Sequence, residues 1–446
     1  MRTLFIITLF RASRHGLSTT KLTSFFYLYA TMKKYILIIV CALMAMSASA
    51  QQKDEQLMDD IRKNPFRCSI VLDPYEVIPA RMTPAPSGYK TFYISHYGRH
   101  GSRSDWPADG YRGALEMFTR AHDAGLLTAQ GEKAYGMIAE IVRRYDDMGG
   151  RLTPLGAKEH RGIARRLYNR EKKILRGSHR IRAVSSTSQR CIISMTAFTG
   201  ELLSLNPKLD FGWDTGDKMM RYISGGDTPD IRKDTEPYLR AHAEAHPLDT
   251  AYFMAQVFTD PEAGRALVGS ASEFAKRTFE VAIASGAYEM DTTLLDIFNI
   301  DDLYWHAENT AMNLYLRECN SVEFGDRRMA LPEVPAIMKD IIDKADEAIA
   351  GGDYVADLRF GHDTHLMAIL ARLGIEGIGE RLTIEQSVHW RGYRFSPFAG
   401  NLQMVFYRNK AGEVLVKFYV NEREVRLITL PGGPYYRWED VKRTMQ

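Results

Sequence analysis

Short apolar runs alternate along the chain with longer stretches in which apolar residues recur at helical spacing. Three runs rich in β-forming residues end in polar turns and predict strands at 91–96, 180–184 and 354–360. Helical spacing predicts helices at about 109–123, 130–147, 153–169, 189–203, 332–350 and from 364 onward. Because strands are followed by helices, the pattern predicts an α/β core with a parallel or mixed sheet.

Two further regions complete the predicted organisation. Residues 206–330 are mostly helical in pattern, with few strand signals, and predict a helical cap. Three short runs near the end of the chain predict a β-meander over 402–407, 414–419 and 425–430. The predicted fold is therefore a mixed-sheet α/β core with helices on both faces plus a mostly helical cap insertion. The core is expected in two parts, 51–205 and 331–446.

Residues 32–50 have the layout of a secretory signal peptide. Lys33 and Lys34 precede an apolar run over 35–46, and small residues lead to Ala50. The run is short for a membrane span, so we predict cleavage after Ala50, no stable membrane span and a periplasmic or secreted protein. A retained membrane anchor is the alternative. Residues 1–31 form a further extension, and the start of translation stays open between Met1 and Met32.

The charge balance argues against a nucleic-acid partner. The whole chain has a formal net charge of +3, but residues 1–50 hold six basic residues and no acidic one. The rest of the chain therefore carries 52 Lys and Arg against 55 Asp and Glu. Nucleic-acid-binding domains are typically basic, so we predict no nucleic-acid partner.

Cysteine is scarce in the chain beyond the signal peptide. Cys68, Cys191 and Cys319 remain there, and an odd count leaves at least one thiol unpaired in a monomer. The pattern matches neither a disulfide scaffold nor a structural zinc site. We expect Cys191 to be a buried apolar residue, and a bridge between Cys68 and Cys319 stays open.

The motif Arg99-His100-Gly101-Ser102-Arg103 directly follows the first predicted strand. Ligands of open α/β sheets bind at the carboxyl ends of strands. Two guanidinium groups offer forked donors to phosphate oxygens, and His100 between them can act as a nitrogen nucleophile. Nearby positive charge opposes protonation of His100 and would keep it neutral. The alternative is a solvated basic turn with one structural histidine.

Two other predicted strands also end in candidate chemistry. Gly361-His362-Asp363-Thr364 follows the third strand; His362 can donate to a phosphate oxygen, and Asp363 can act as a general acid at the start of a helix. The first N–H groups of that helix add positive potential. Arg190 follows the polar turn after the second strand. The alternatives are a plain helix cap by Asp363 or Thr364 and a surface arginine at 190.

The order of these sites resembles the histidine acid phosphatase branch of the histidine phosphatase superfamily, over most of the chain beyond the signal peptide. The resemblance rests on Arg99–Arg103, Leu152-Thr153-Pro154-Leu155-Gly156, Ser186–Arg190, His362-Asp363, Pro397–Leu402, Val416-Lys417 and Asn421. It implies that His100 is phosphorylated and that Asp363 donates a proton. It also implies phosphate binding by Arg99, Arg103, Arg190 and His362. It implies no metal and no cofactor.

The C-terminal stretch and the export signal also resemble the multiple inositol polyphosphate phosphatases, which implies phytase-like substrates. Those enzymes typically carry His-Ala-Glu where this chain has His362-Asp363. The chain has His306-Ala307-Glu308 earlier, in the predicted cap, and we interpret that tripeptide as coincidence. This departure leaves inositol phosphate specificity open.

The resemblance implies an exported phosphomonoesterase that acts through a phosphohistidine on a small phosphate ester. A general acid phosphatase is one alternative. A phosphoglycerate mutase-like transferase would pass its phosphoryl group to a second substrate, and export argues against it. A non-catalytic anion-binding protein would have no need for Asp363 at a helix start.

The predicted cap carries basic residues that could reach the distal phosphates of a polyphosphorylated substrate. They are Lys218, Arg221, Arg232 and Lys233. Such contacts would favour a multiply charged ester and would weaken with salt. The alternative is that these side chains only form a solvated face.

Overall fold

A single mixed sheet forms the centre of the molecule. The computed structural model describes residues 53–105, 108–224, 228–290 and 293–446. Within these ranges the strands are β1 (Lys90–Arg99), β2 (His179–Ser185), β3 (Leu209–Asp214), β4 (Tyr354–Gly361), β5 (Asn401–Arg408), β6 (Val414–Val420), β7 (Arg423–Glu424) and β8 (Tyr435–Arg437). Their order is β3-β2-β4-β1-β5-β6-β7, and β8 also pairs with β6.

The strand register brings three carboxyl ends to one edge of the sheet. Strands β3, β2, β4 and β1 run parallel, and β5 and β6 continue the sheet in antiparallel fashion. Arg99 at the end of β1 lies opposite Gly361 at the end of β4, and Ser185 at the end of β2 lies opposite Phe360. The three predicted polar turns therefore leave the sheet side by side.

Helices occupy most of the remaining chain. They are α1 (Glu55–Lys63), α2 (Ala108–Asp123), α3 (Ala129–Tyr145), α4 (Pro154–Arg170), α5 (Lys172–Leu175), α6 (Gln189–Leu205), α7 (Asp217–Ile223), α8 (Pro229–Ala245), α9 (Thr250–Val257), α10 (Pro261–Val268), α11 (Ala271–Ala284), α12 (Ile300–Glu318), α13 (Glu333–Ile349), α14 (Asp363–Leu373), α15 (Ile384–Ser387) and α16 (Trp438–Met445). Short 3₁₀ segments lie at Pro65–Leu72, Ser285–Tyr288, Leu294–Ile297 and Gly392–Arg394. No helix among the described residues is long and apolar enough to cross a bilayer.

Apolar side chains cover both faces of the sheet. On one face, α4 and α6 pack on each other and bury Ile94 and Phe360 together with Phe198. On the other face, α13, α14 and α16 cover Tyr93 and Phe406, and the Trp438 ring stands edge-on to Phe406 at 4.9 Å between centroids. The predicted mixed-sheet core with helices on both faces is confirmed.

A second group of helices packs beyond the sheet. Helices α2 and α3 contact α9, α10 and α11, and their aromatic side chains meet edge to face, as in Phe118 against Phe274 at 4.9 Å between centroids. These contacts join the stretch before the predicted cap with helices inside it. The boundaries of the cap at 206 and 330 stay a prediction.

Two elements differ from the sequence expectation. Strand β3 extends the parallel sheet past residue 205, where the helical insertion was expected to begin; Asp210, Gly212 and Asp214 weaken the β signal of this edge strand. The expected third meander strand at 425–430 is wrong. β7 and β8 instead share the free edge of β6, and the intervening chain bonds to the loop after α14, as Ile428 N donates to Gly374 O at 2.8 Å.

The cysteines are buried and unbonded to one another. Cys68, Cys191 and Cys319 are free thiols, so the open bridge between Cys68 and Cys319 is not formed. Cys191 is buried as expected, but it is more than apolar filling because its thiol donates to the Gly361 carbonyl oxygen at 3.2 Å. The predicted signal peptide at 32–50 lies outside the described residues.

Candidate active site

The three polar turns converge at the carboxyl edge of the sheet, as predicted. His100 follows β1, and His362 follows β4; their ring centroids lie 5.7 Å apart with the planes at 72°. Arg190 begins the helix after β2 and places its Nη2 3.3 Å from Nδ1 of His362. The structure therefore brings together residues that lie up to 264 positions apart in the sequence.

His100 is buried as a neutral imidazole. Its Nδ1 lies 2.9 Å from the Gly101 carbonyl oxygen. A carbonyl only accepts hydrogen bonds, so Nδ1 carries the proton and Nε2 carries the lone pair. Burial and the charges of Arg99 and Arg190 hold the pKa of His100 well below its ordinary value. The described residues leave Nε2 without a hydrogen-bond partner, which suits a nitrogen nucleophile.

Arg99 is a fully buried cation. One Nη donates to the Ser396 carbonyl oxygen at 2.8 Å, and the guanidinium carbon lies 4.7 Å from the centre of the Phe398 ring. The other Nη lies 3.1 Å from Oδ2 of Asp363. Burial lowers the pKa of Arg99 to about 10, so the group stays charged at neutral pH. Its Nε makes no hydrogen bond within the described residues, which leaves a donor for an anion.

Two more arginines add to this positive field. Nη1 of Arg103 donates to the Ser104 carbonyl oxygen at 2.9 Å and lies 3.4 Å from Asp105. Nε of Arg190 is buried and makes no hydrogen bond to the described residues. Burial, together with the charge of Arg190, lowers the pKa of His362 to about 4. The cluster is therefore strongly cationic without any charged histidine.

Asp363 occupies the first position of α14 and is 23% exposed. Its Oδ1 accepts from the backbone N–H of Thr364 at 3.0 Å, while Oδ2 faces Arg99. Burial, the largest single effect, would raise the pKa of Asp363. The nearby positive charges, that of Arg99 foremost, together with the hydrogen bond from Thr364 N–H outweigh burial, and the pKa lies below its ordinary value. A plain helix cap would not require the contact with Arg99, because that contact lies outside the helix.

A buried carboxylate that sequence reasoning missed fixes the loop after β1. Glu159 on α4 accepts from the backbone N–H and the hydroxyl of Ser102, both at 2.7 Å, and from the backbone N–H of Tyr75 at 2.9 Å. The available signal was its position one helical turn after the Leu-Thr-Pro-Leu-Gly turn. Glu159 thus holds the segment that aims His100 and Arg103.

Two glycines allow α4 to approach this loop closely. A Cβ on Gly101 would lie 2.5 Å from the carbonyl oxygen of Gly156, and one on Gly156 would lie 2.3 Å from that of Ser102. Thr153 caps α4 here and its backbone N–H donates to Ser102 O at 2.9 Å. The contact needs glycine on both sides because no side-chain carbon fits between the backbones.

The basic residues of the predicted cap do not form one group. Lys218 pairs with Asp214 at 3.0 Å and lines a cavity of about 510 Å³ with Arg182 and Arg359 on one face of the sheet. Lys233 is exposed on α8, and the side chain of Arg221 lies outside the described part of the structure.

Arg232 is exposed on α8. Its charge lowers the pKa of Glu318 and that of Asp363 raises it, although burial, the largest effect, leaves the pKa of Glu318 raised.

The tripeptide His306-Ala307-Glu308 lies in α12, outside the group of side chains around His100. His306 packs edge-on against Phe279 at 5.1 Å between centroids. Glu308 accepts from the hydroxyl of Tyr304 at 2.6 Å and lies 3.3 Å from His242. These contacts explain both polar side chains by packing inside the helical region.

Comparisons with known proteins agree with the fold. No family model matches the chain. It is 23% identical over 386 residues to multiple inositol polyphosphate phosphatase 1 of Gallus gallus, a match that covers 79% of this chain and 81% of that protein.

Solved structures match over most of the chain. The multiple inositol polyphosphate phosphatase of Bifidobacterium longum in complex with inositol hexasulfate matches with a TM-score of 0.61 and 18% identity, over 85% of this chain and 97% of that one. The phytase from D. castellii matches with a TM-score of 0.58 and 13% identity, over 85% and 84% of the two chains. The chain is a homologue of multiple inositol polyphosphate phosphatase and has the phytase-like fold; the resemblance to histidine acid phosphatases is confirmed.

The close approach at Gly156 gives a prediction for stability. Gly156→Ala should destabilise the protein by about 1–3 kcal/mol, because the new methyl group forces α4 away from Ser102. Gly136→Ala is the matched control: Gly136 lies within α3 with open space around its Cα, so alanine should stabilise by about 0.5–1 kcal/mol. Urea unfolding measures both. A Gly156→Ala protein as stable as wild type would contradict the packing described.

Proposed function

We propose that this homologue of multiple inositol polyphosphate phosphatase is an exported phosphomonoesterase that acts on inositol phosphates through a phosphohistidine on His100. The observation that carries the proposal is the state of His100. Its Nδ1 proton is bound by Gly101 O, its Nε2 lone pair is free, and cationic side chains surround it. A neutral nucleophile in a positive field is what attack on an anionic phosphate requires.

Phosphate binding uses the donors that the protein leaves open. Arg99 and Arg190 each have a buried Nε without a hydrogen bond to the described residues. Leaving a buried guanidinium donor unsatisfied costs free energy, about 1–3 kcal/mol for a typical buried polar group. A phosphoryl oxygen at each donor would remove that cost. Arg103 adds a third guanidinium for the non-bridging oxygens. His362, predicted as a further phosphate ligand, borders the same site, and in the free protein its two ring nitrogens bond to Arg190 and Ser186.

The reaction proceeds in two displacements. His100 Nε2 forms a bond to phosphorus as the bond from phosphorus to the ester oxygen breaks, and Asp363 gives its proton to the departing oxygen. Water then attacks the phosphohistidine, the bond from nitrogen to phosphorus breaks, and Asp363 takes a proton from the water. Orthophosphate and the free alcohol are the products, and the enzyme returns to its initial state.

The contact between Arg99 and Asp363 determines whether Asp363 carries the proton that the leaving oxygen needs. In the free enzyme Arg99 holds the pKa of Asp363 below its ordinary value. A bound phosphoryl group offers Arg99 a second anion and places negative charge beside the carboxylate, and both effects favour the protonated acid. Asp363 therefore takes up a proton from solvent as the substrate binds and changes from a counter-ion into a proton donor, and it returns that proton to solvent when orthophosphate leaves.

His100→Ala tests the nucleophile. It should leave the fold intact and reduce phosphate release from inositol hexakisphosphate on the order of 10⁴-fold or more, because the other neutral imidazole in the cluster, His362, has both ring nitrogens bonded to Arg190 and Ser186. Continuous phosphate detection measures the rate, and circular dichroism checks the fold. His122→Ala serves as control, since His122 is 45% exposed and pairs with Glu132 on the surface. Comparable loss in both variants would refute a specific role for His100.

Asp363→Asn tests the proton donor through the leaving group. Alkyl phosphates need protonation as the ester bond breaks, whereas nitrophenolate leaves well without it. The substitution should slow an alkyl ester on the order of 10²-fold or more and slow the phosphorylation step of p-nitrophenyl phosphate far less. Pre-steady-state burst kinetics separates that step from hydrolysis of the phosphoenzyme. Equal losses on both esters would assign Asp363 a structural role instead.

Among the described basic residues of the predicted cap, we propose Arg232 for a distal phosphate contact, because its charge and that of Asp363 both act on Glu318. Arg232→Ala should lower kcat/KM for inositol hexakisphosphate by about three- to tenfold at low salt, the size of one exposed charge contact. It should leave a simple monoester almost unchanged, and the difference should shrink at high salt. Lys233→Ala removes the same charge from the adjacent position. Equal effects of the two variants would show that the positive charge of the cap acts at a distance and that Arg232 makes no specific contact with a distal phosphate.

Export rests on the predicted signal peptide alone. Amino-terminal sequencing of the protein from its native cell should begin at Gln51, because cleavage is predicted after Ala50. Replacing Lys33 and Lys34 together by Glu should keep the precursor inside the cell. A full-length wild-type protein recovered from the cytoplasm would overturn export without affecting the proposed chemistry.

A further inference from the structure

The ring of His362 is held at both nitrogens by side chains from the turn after β2. Nη2 of Arg190 lies 3.3 Å from Nδ1, and Oγ of Ser186 lies 3.1 Å from Nε2. Ser186 is itself fully buried, and its backbone N–H donates to Phe360 O at 3.0 Å. The hydroxyl therefore sits on the sheet, in a fixed position relative to the end of β4.

The donor and acceptor capacities of the neighbours fix the tautomer of the ring. A guanidinium has five N–H donors and no acceptor, so Nδ1 of His362 must offer its lone pair to Arg190. In the neutral ring the proton then resides on Nε2, and Oγ of Ser186 accepts it. Burial and the nearby arginines keep the ring neutral, with a pKa of about 4.

We propose that Ser186 is a positioning residue that holds His362 in its Nε2–H tautomer and, through Nδ1 of that ring, orients the guanidinium of Arg190. The opposite tautomer would place an N–H of His362 against an N–H of Arg190, two donors with no acceptor between them. Arg190 would then turn away and its buried Nε would no longer point into the cluster. Ser186, His362 and Arg190 thus form one chain that ends on a phosphate donor; this consequence for binding rests on the proposed function.

Cys191 also contacts the ring of His362 and the end of β4. Its thiol donates to the Gly361 carbonyl oxygen at 3.2 Å, and the sulfur lies 3.8 Å from Nε2 of His362. Burial raises the pKa of the thiol to about 11, so it stays protonated. Sulfur is only a weak acceptor, so Ser186 Oγ at 3.1 Å is the principal acceptor of the Nε2 proton.

The tautomer of His362 can be read in the full mature chain without any substrate. In protein labelled with ¹⁵N-histidine, the His362 signals are assigned by their loss in His362→Gln. The wild-type ring should show a protonated Nε2 and an unprotonated Nδ1, and Ser186→Ala should shift the ring towards the other tautomer. A proton on Nδ1 in wild type, or no change in Ser186→Ala, overturns the proposal. This readout does not depend on the protein being a phosphatase.

Binding of inorganic phosphate tests the link to Arg190. Ser186→Ala should raise the dissociation constant for phosphate on the order of tenfold, as loss of an orienting partner does at other sites, and should change KM more than kcat. Ser186→Thr keeps the hydroxyl and should restore both. Ser185→Ala is the control, because Ser185 is equally buried and bonds only to the Ser186 carbonyl oxygen. Loss of binding that Ser186→Thr does not restore, or that Ser185→Ala shares, overturns the proposal in favour of simple packing.

Discussion

The buried guanidinium of Arg99 determines how the rest of the catalytic edge is arranged. Taking a cation out of water is costly unless it is paired and hydrogen-bonded. Here the Ser396 carbonyl oxygen, the Phe398 ring and Asp363 together stabilise it. These partners come from the loop before β5 and from the start of α14, so one cation ties two other parts of the chain to the end of β1. Its Nε makes no hydrogen bond within the described residues.

The same charge sets the protonation of its neighbours. It helps to keep His100 neutral and lowers the pKa of Asp363. The free site thus holds a neutral imidazole at His100, an ionised carboxylate at Asp363 and several arginines. In the proposed reaction, an incoming phosphoryl group shares the arginines and raises the proton affinity of the carboxylate. Under that proposal, the ion pair of Arg99 and Asp363 couples substrate binding to proton supply.

The local sequence pattern was sufficient to predict which residues lie at the carboxyl ends of the strands. His100, His362 and Asp363 each stand directly after a strand that is rich in β-forming residues, and parallel strands bring such ends to one edge. Glu159 could not be predicted in its role, because its bonds to Ser102 and Tyr75 depend on how α4 packs on the loop.

Packing between residues distant in the sequence also explains why two expectations, those for Lys218 and for the run at 425–430, differ from the structure. Lys218 was one of the cap residues that could have reached a distal phosphate, but it pairs with Asp214 at the end of the unpredicted strand β3. The run at 425–430 has strand-forming residues, yet the edge of β6 was already occupied by β7 and β8. In both cases the partner that determines the outcome is distant in the sequence or lies in a strand whose residues only weakly predict β structure.

The most direct test of the account is to trap the covalent intermediate. Enzyme mixed with a fast-leaving aryl phosphate is quenched in alkali within the first turnover, and peptides are mapped by mass spectrometry. We expect one phosphoryl group on the imidazole of His100, which forms with the burst of released phenol and disappears as phosphate is released. A phosphoryl group on another side chain, or steady phosphate release with no phosphoenzyme at any time, would contradict it.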